Sequence, residues 1–169
     1  MRSRGKLVLV SASTNLAATN YERGMSVHAL ALLAGDGEDA DGNVIIKMHP
    51  AGRMTPTRLN LLRAADLIVI DEYSSLPRTI GDALIKFLQE YKCRTRVLFI
   101  GDRKQIPPVV TKGSRDEIIE ASLLSLPEFA SAHSMVLTKP YRQHCETWAA
   151  TVRSVGDASA PSLEQHRLS

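Results

Sequence analysis

The sequence predicts an α/β fold in which helices cover both faces of a parallel sheet, and two observations support this prediction. Four short apolar runs, at residues 7–10, 67–70, 97–100 and 135–137, are rich in the aliphatic side chains found in strands. Runs that are apolar at every position are typical of strands buried on both faces. Segments with helical spacing separate the runs, as expected where helices connect parallel strands.

The individual elements follow from these patterns. Parallel strands are expected at about residues 7–11, 67–71, 96–101 and 134–138. Helices are expected at residues 57–65, 79–91, 117–126 and 144–155. The second helix is amphipathic and places on one face Ile80, Leu84, Phe87 and Leu88. The last helix is expected to turn its apolar side chains inward, namely Trp148, Ala149 and Val152.

Length and composition predict one domain, at residues 1–155, and a tail at residues 156–169 that has no apolar period and is expected to be disordered. Residues 35–42 are acidic and rich in glycine, which predicts an exposed loop. Of the 169 residues, 44% are hydrophobic and 23% are charged, the balance of a soluble globular protein.

Net charge and cysteine content indicate which partners and which cellular compartment are compatible with the sequence. The net charge of +3 and a pI of about 9.0 are compatible with a nucleic-acid partner and equally with ordinary surface cations. Cys93 and Cys145 lack the spacing of a zinc site or disulfide framework, which favours a reducing compartment. No apolar run approaches the ~20 residues of a membrane span. We see no targeting signal and expect a nuclear, mitochondrial or cytoplasmic location.

Two carboxylates directly follow the apolar run at residues 67–70. Asp71 and Glu72 therefore lie at the carboxyl end of a predicted strand, the edge at which open α/β sheets bind ligands. A carboxylate there can hold Mg²⁺ against nucleotide phosphates, and a neighbouring one can accept a proton from an attacking water. The alternative is a strand end followed by solvated acids.

Polar residues also follow the run at residues 97–100. Gly101 permits a turn that a side chain would obstruct, Asp102 follows it, and Gln105 can hydrogen-bond a phosphate or a nearby water. Pro107 and Pro108 stiffen the end of this segment. The alternative is a tight turn that ends in prolines.

Together these segments resemble two motifs of the Pif/RecD branch of superfamily-one DNA helicases. The first motif, apolar-apolar-D-E-x-S, matches residues 71–74, and the second, G-D-x-x-Q-L-P-P-V, matches residues 101–109 with Ile106 in place of leucine. Thirty residues separate Asp71 from Gly101. Residues 8–18 and 24–28 are similar to the strand and DNA-contacting segments of the family, and residues 137–143 are similar to its L-x-x-x-x-R-Q motif.

The resemblance implies a RecA-like P-loop NTPase fold, ATP and Mg²⁺ as cofactors, and single-stranded or duplex DNA as a partner, without a membrane. It implies that Asp71 binds Mg²⁺, that Glu72 activates water, and that Gln105 and Arg142 contact the γ-phosphate, in a nucleotide site that includes Gly101 and Asp102. It places near DNA Ser13, Thr14 and His28. Taken alone, His28 is better explained as a histidine at a helix start, and Arg142 is equally well explained as a surface cation.

The phosphate-binding loop G-x₄-G-K-[S/T] does not occur in this sequence, since Gly5 and Lys6 precede Leu7 rather than Ser or Thr. We therefore expect a first motor domain that is incomplete at the N-terminus, with exposed sheet edges, without the second motor domain, and inactive by itself. The complete protein would unwind DNA at the expense of ATP, in repair or recombination. The alternative is a non-catalytic pseudo-ATPase that binds DNA or a protein. A nucleotide kinase is disfavoured by the motif at residues 101–109.

Overall fold

The structure, a computed structural model, describes residues 4–38, 44–48, 55–105, 107–108, 110, 113–137 and 146–156. It divides into two compact units, Met1–Ala130 and Ser131–Ser169, which are described separately. The described strands are Val8–Ala12 (β1), Met25–Ser26 (β2), Leu33–Glu38 (β3), Val44–Met48 (β4), Leu67–Asp71 (β5) and Arg96–Phe99 (β6). The described α-helices are Asn15–Ala18 (α1), Val27–Ala31 (α2), Pro56–Ala64 (α3), Arg78–Glu90 (α4), Arg115–Glu120 (α5), Pro127–Ala130 (α6) and Glu146–Gly156 (α7).

A four-stranded parallel sheet in the order β2-β1-β5-β6 is the centre of the first unit. Strand β1 pairs with β5 along its whole length, from Val8 opposite Leu67 to Ala12 opposite Asp71. Strand β6 pairs with β5 from Arg96 to Phe99. The parallel strands expected at about residues 7–11 and 67–71 are therefore confirmed, and the one expected at 96–101 is confirmed as far as Phe99. All three end at one edge of the sheet.

The antiparallel strands β3 and β4 replace the first half of the loop expected at residues 35–42. That prediction is wrong for residues 35–38, which belong to β3, while residues 39–42 lie outside the described part of the chain. The segment forms a strand despite its acidic, glycine-rich composition, because Leu33 is buried and Ile46 of β4 packs against the core. Backbone pairing with β4 then satisfies the polar groups of the segment.

Helix α4 packs its apolar face on the sheet. Ile80, Leu84, Phe87 and Leu88 are all buried, as the spacing predicted. The helix expected at residues 117–126 is only partly confirmed. Helix α5 begins after a capping box between Ser114 and Glu117 and ends at Glu120, and a 3₁₀ helix follows at Leu123–Ser125.

The core lies between the sheet, α2, α4 and the 3₁₀ helix, and its most buried strand residues are Ile68 and Ile70. Strand β6 departs from the prediction that every strand is buried on both faces. Leu98 is 36% exposed and Ile100, just after the strand, is 43% exposed. Among the described residues β6 has a strand neighbour only on its β5 side, so less of it is covered.

The described part of the second unit does not form the strand expected at residues 134–138. Residues 134–137 have no regular secondary structure, and Met135, Val136 and Leu137 are more than three-quarters exposed. This prediction is wrong for those four residues, because an apolar run becomes a strand only when a neighbouring backbone pairs with it. Residue 138 lies outside the described residues.

Helix α7 confirms the helix expected at residues 144–155 over most of its length. Val152 is 41% exposed, so its predicted inward position is wrong, and the side chains of Trp148 and Ala149 lie outside the described set. Of the predicted tail, only Gly156 is described, as the end of α7. Within the part of the chain that the structure describes, no helix is long and apolar enough to cross a membrane.

Candidate nucleotide site at the carboxyl edge of the sheet

Asp71 is the last residue of β5 and is half-buried at the carboxyl edge of the sheet. Its Oδ2 accepts a hydrogen bond from the Tyr21 hydroxyl at 2.5 Å, and its Oδ1 accepts one from the Glu72 backbone N–H at 3.0 Å. A carboxylate offers about four lone-pair directions, so two hydrogen bonds leave capacity for a water or a cation. The two bonds hold the carboxylate in place for such a ligand.

Glu72 turns the chain sharply at the end of β5. Its backbone has φ 55° and ψ 41°, the left-handed region that costs a non-glycine residue ~1 kcal/mol or more. The 3₁₀ helix Tyr73–Ser75 follows immediately. The strained conformation keeps the second carboxylate at the sheet edge instead of continuing the strand, and such strain is concentrated at functional sites.

Ser13 joins the loop after β1 to the loop after β5. Its backbone N–H donates to the carbonyl of Asp71 at 3.1 Å, and its buried hydroxyl lies 2.9 Å from Ser75 Oγ. Ser75 Oγ is also 3.1 Å from the carbonyl oxygen of Glu72. Ser13, predicted to lie near DNA, is therefore part of the internal hydrogen-bond network that supports the two carboxylates.

Thr14 and His28 lie at the starts of two short helices at the same edge. Thr14 precedes α1, and its exposed side chain accepts a hydrogen bond from Ala17 N at 3.1 Å. His28 is exposed in α2, which begins after Ser26, the residue that pairs with Ala12 at the end of β1. Both side chains are thus accessible near the strand ends, in contrast to the buried Ser13.

The loop after β6 contacts the loop after β5 through Tyr73. The Tyr73 N–H donates to the carbonyl of Ile100 at 3.2 Å. A Cβ atom on Gly101 would lie 3.0 Å from both the Cδ1 and the backbone N of Tyr73. Glycine at this position therefore permits the close approach of the two loops. The sequence had predicted that a side chain here would obstruct the chain, although at a turn and not at a contact between loops.

Asp102 shapes the remainder of that loop. Its Oδ1 accepts a hydrogen bond from Lys104 N at 2.9 Å, and its carbonyl accepts one from Gln105 N at 3.0 Å. The resulting turn leaves Gln105 exposed. Asp102 therefore stabilises the turn of this loop by accepting hydrogen bonds from backbone N–H groups two and three residues further on.

The two loops leave one edge of the sheet together and bring to it Asp71, Glu72, Gly101, Asp102 and Gln105. No described contact links the Gln105 side chain to either carboxylate. Arg142 lies outside the described residues.

Sequence reasoning missed Tyr21 and Ser75, which hydrogen-bond to Asp71 and Ser13. No local signal identifies Tyr21, because fifty positions separate it from Asp71 and only the β1–β5 pairing brings them together.

The donor set limits the kind of metal that the edge can hold. Among the described residues, no group of three or more His, Cys, Asp and Glu side chains is arranged so that it could hold a metal ion. Magnesium fits such an edge, because it commonly keeps several waters and uses one or two carboxylates together with phosphate oxygens. Asp71, with lone pairs still free, is suited to that role.

Comparison with known proteins identifies relatives of this chain. A sequence model described as PIF1-like helicase matches residues 1–155. No curated protein sequence matches the chain. The structure of Bacteroides Pif1 bound to ssDNA superposes with a TM-score of 0.71 at 22% identity, over 96% of this chain and 39% of that protein.

Two further helicase structures are similar. Bacteroides Pif1 in complex with ADP-AlF3 and ssDNA gives a TM-score of 0.69 at 23% identity, over 95% of this chain and 38% of that one. Pif1 from Candida albicans gives 0.67 at 19% identity, over 95% and 36%. The RecA-like α/β fold is thereby confirmed, and the chain spans about two fifths of the length of these helicases.

Proposed function

Because the chain belongs to the PIF1-like helicase family, we propose that it forms part of the first motor domain of an ATP-dependent DNA helicase. The observation that carries this proposal is the position of Asp71 and Glu72. They end a central parallel strand beside the loop of Gly101, at the edge where open α/β sheets bind nucleotides. ATP hydrolysis coupled to DNA unwinding is the activity proposed for the complete protein.

Four candidate residues of the nucleotide site have a proposed task. Asp71 would hold Mg²⁺, which neutralises charge on the β- and γ-phosphates when bound. Glu72 would accept a proton from the attacking water, and its fixed backbone would keep the base in position. Gln105 and Arg142 would contact the γ-phosphate, the arginine as a permanently charged planar donor.

The proposed DNA strand contacts the neighbouring short helices. Thr14 and His28 are exposed there and can hydrogen-bond phosphate or sugar oxygens. Ser13 supports this surface from below through its bonds to Asp71 and Ser75 rather than by direct contact. The similar Bacteroides Pif1 structures contain ssDNA, which favours a single strand as the bound form.

The missing G-x₄-G-K-[S/T] sequence limits what this chain can do by itself. That loop normally surrounds the phosphates with backbone N–H groups and a lysine. Without it, Asp71 and Arg142 supply too little positioned charge for phosphoryl transfer. We expect no ATP hydrolysis above background by the isolated chain, even with Mg²⁺ and single-stranded DNA.

A non-catalytic module that binds DNA or a protein partner is the second candidate. The observation that favours it is the same absence of a phosphate loop from the sequence. The retained acids Asp71 and Glu72, held at the sheet edge by the bonds described above, favour the helicase proposal instead.

A chimera separates the two candidates. This chain replaces the matching segment of Bacteroides Pif1, so that the host supplies a phosphate loop and a second motor domain. We expect DNA-stimulated ATP hydrolysis from the chimera. Glu72→Gln should lower kcat by about 100-fold or more, because the amide keeps the shape of the side chain but cannot accept the proton.

The matched control is Glu90→Gln, which makes the same change at the exposed end of α4. It should leave kcat unchanged. Nucleotide binding by the Glu72→Gln chimera should persist in a fluorescent-nucleotide titration. A chimera that binds DNA and nucleotide but never hydrolyses ATP would support the non-catalytic module.

A further inference from the structure

A second concave surface lies at the opposite edge of the sheet, where the strands begin. It is a pocket of about 400 Å³ between the end of α3 and the amino ends of β1, β5 and β6. Its lining residues are Lys6, Arg63, Ala64, Ala65, Asp66, Arg94 and Arg96. The proposed nucleotide site occupies the carboxyl edge and uses none of them.

Backbone hydrogen bonds fix the rim of this pocket, which we call the amino-edge pocket. Asp66 N donates to the carbonyl of Leu7 at 2.9 Å, and Arg96 N donates to the carbonyl of Asp66 at 3.4 Å. Arg63, in the last turn of α3, donates from Nε to the Tyr91 carbonyl at the end of α4 at 2.9 Å. Of the four cationic side chains, those of Arg63 and Arg96 belong to α3 and β6, and those of Lys6 and Arg94 lie two residues before β1 and β6.

Charge in the amino-edge pocket is strongly unbalanced. Four cationic side chains line it, against the single carboxylate of Asp66. Asp66 is already committed, because its Oδ1 pairs with Lys6 Nζ at 2.9 Å and its Oδ2 accepts from Leu7 N at 2.9 Å. No ion pair between described residues involves Arg94 or Arg96. Arg63, Arg94 and Arg96 are exposed, so the pocket presents to solvent three positive charges that no described carboxylate balances, and such a surface attracts anions.

We propose that the amino-edge pocket binds the phosphodiester backbone of a nucleic acid strand. Guanidinium groups present a planar fork of donors that fits phosphate oxygens. Adjacent strands lie ~4.8 Å apart, so the starts of β1, β5 and β6 form a row about 10 Å wide, enough for two or more successive phosphates. A nucleic acid fits better than an acidic peptide because its charges recur at every residue.

The inference rests on the proposed function only in that both invoke a nucleic acid. It concerns a different edge of the sheet from Thr14 and His28, so a strand bound here makes contacts additional to theirs. The expected consequence is binding without base preference, because phosphate contacts carry no sequence information. The pocket would add affinity and an electrostatic guide for the strand.

The test compares two double variants of the full chain that remove the same charge. R94A/R96A empties part of the amino-edge pocket, and K86A/R115A removes two cations from α4 and α5. Binding of fluorescently labelled oligothymidylate is measured by anisotropy over a range of salt concentrations. For R94A/R96A we expect affinity to fall ~10-fold at low salt, and the slope of log K against log salt to become shallower by about 0.7 for each lost phosphate contact.

The control variant should bind within about twofold of the original chain. Equal losses in both variants, or no binding by the original chain, would overturn the proposal. Inorganic phosphate is added at a concentration equal to that of the oligonucleotide's phosphate groups. If it displaces the oligonucleotide, the pocket is a site for free phosphate, and the proposal is overturned. If R94A/R96A does not fold, amide chemical shifts of the original chain decide: shifts at residues 64–66 and 94–96 on adding oligothymidylate support the proposal, and their absence refutes it.

This outcome is independent of the chimera experiment. Loss of hydrolysis in the chimera with an intact difference between the two double variants would remove the proposed function and keep the amino-edge pocket. Hydrolysis by the chimera without a difference between the two double variants would keep the proposed function and remove the amino-edge pocket.

Discussion

Asp71 illustrates how single side chains at the sheet edge are prepared by contacts from elsewhere in the chain. A carboxylate at a strand end would ordinarily be free in solvent, but here Tyr21 and the Glu72 backbone hold both of its oxygens. Such preorganisation lowers the cost of positioning the group when a ligand binds. At the opposite edge, Asp66 is held in the same manner by Lys6 and Leu7.

The contacts of Asp66 lead to a prediction about pH. The hydrogen bond from Lys6, and then that from Leu7 N, lower the pKa of Asp66 below its ordinary value of 3.8. Since the folded-state pKa is the lower one, the unfolded chain binds the proton more readily. The stabilisation is therefore fully present above pH 3.8 and is lost as the pH falls through the folded-state pKa.

Asp66→Asn should remove this part of the acid sensitivity. Urea unfolding between neutral and acidic pH should show a smaller loss of stability on acidification than in the original chain. Asp116→Asn, which neutralises an exposed acid in the first turn of α5, is the control and should leave the acid limb steeper than Asp66→Asn does. Identical acid limbs for the Asp66 variant and the original chain would contradict the assignment.

At the scale of secondary structure, helix α4 contributes its apolar face to the core that it shares with Ile68 and Ile70 of β5. Its apolar face meets the 3₁₀ helix Leu123–Ser125, and Gly81 marks the point of closest approach. A Cβ atom at Gly81 would lie 2.0 Å from Cδ1 of Leu123 and 3.1 Å from Cδ1 of Leu126. Both leucines are buried, so neither side chain can move away freely.

Gly81→Ala therefore shows which effect on stability is larger, the gain in helix propensity or the cost of overpacking the core. Alanine favours the helix by about 1 kcal/mol, whereas overpacking a core costs ~1–3 kcal/mol. We expect a net loss of ~1 kcal/mol in the free energy of unfolding, measured with urea. Gln89→Ala, at an exposed position of the same helix, should change stability by less than about 0.5 kcal/mol. A stabilising Gly81→Ala would show that the contact with Leu123 relaxes easily.

At the scale of the whole molecule, the chain spans about two fifths of the helicases that it resembles. Within the described sheet, β6 has a strand neighbour only on its β5 side, and Leu98 and Ile100 are partly exposed there. Unpaired strand edges with apolar side chains are sites of self-association unless charge or a covering segment protects them.

This edge predicts concentration-dependent association of the isolated chain. Ile100→Lys introduces a charge beside the edge and should shift sedimentation at high protein concentration toward the monomer. Leu61→Lys is the matched control, since Leu61 is 41% exposed on α3 and Ile100 is 43% exposed. The control should leave association unchanged. Equal effects of both lysines would point to net charge rather than to the strand edge.

Local pattern alone was sufficient for the strands at residues 67–71 and 96–99, for the amphipathic helix α4, and for the motifs around Asp71 and Gly101. These features depend on side chains that are close in sequence, so their periodicity is visible without a structure. The motifs also identified the family, which the match over residues 1–155 shows.

Tertiary contacts decided the rest. Residues 35–38 pair as a strand because β4 lies beside them, whereas residues 134–137 remain irregular, although they are more apolar. Tyr21 reaches Asp71, and Ser75 reaches Ser13, only because β1 and β5 align residue by residue. The four cations of the amino-edge pocket are likewise dispersed from residue 6 to residue 96. The physical reason is that strand pairing and side-chain hydrogen bonds join residues far apart in sequence, and no local periodicity records which partner each will find.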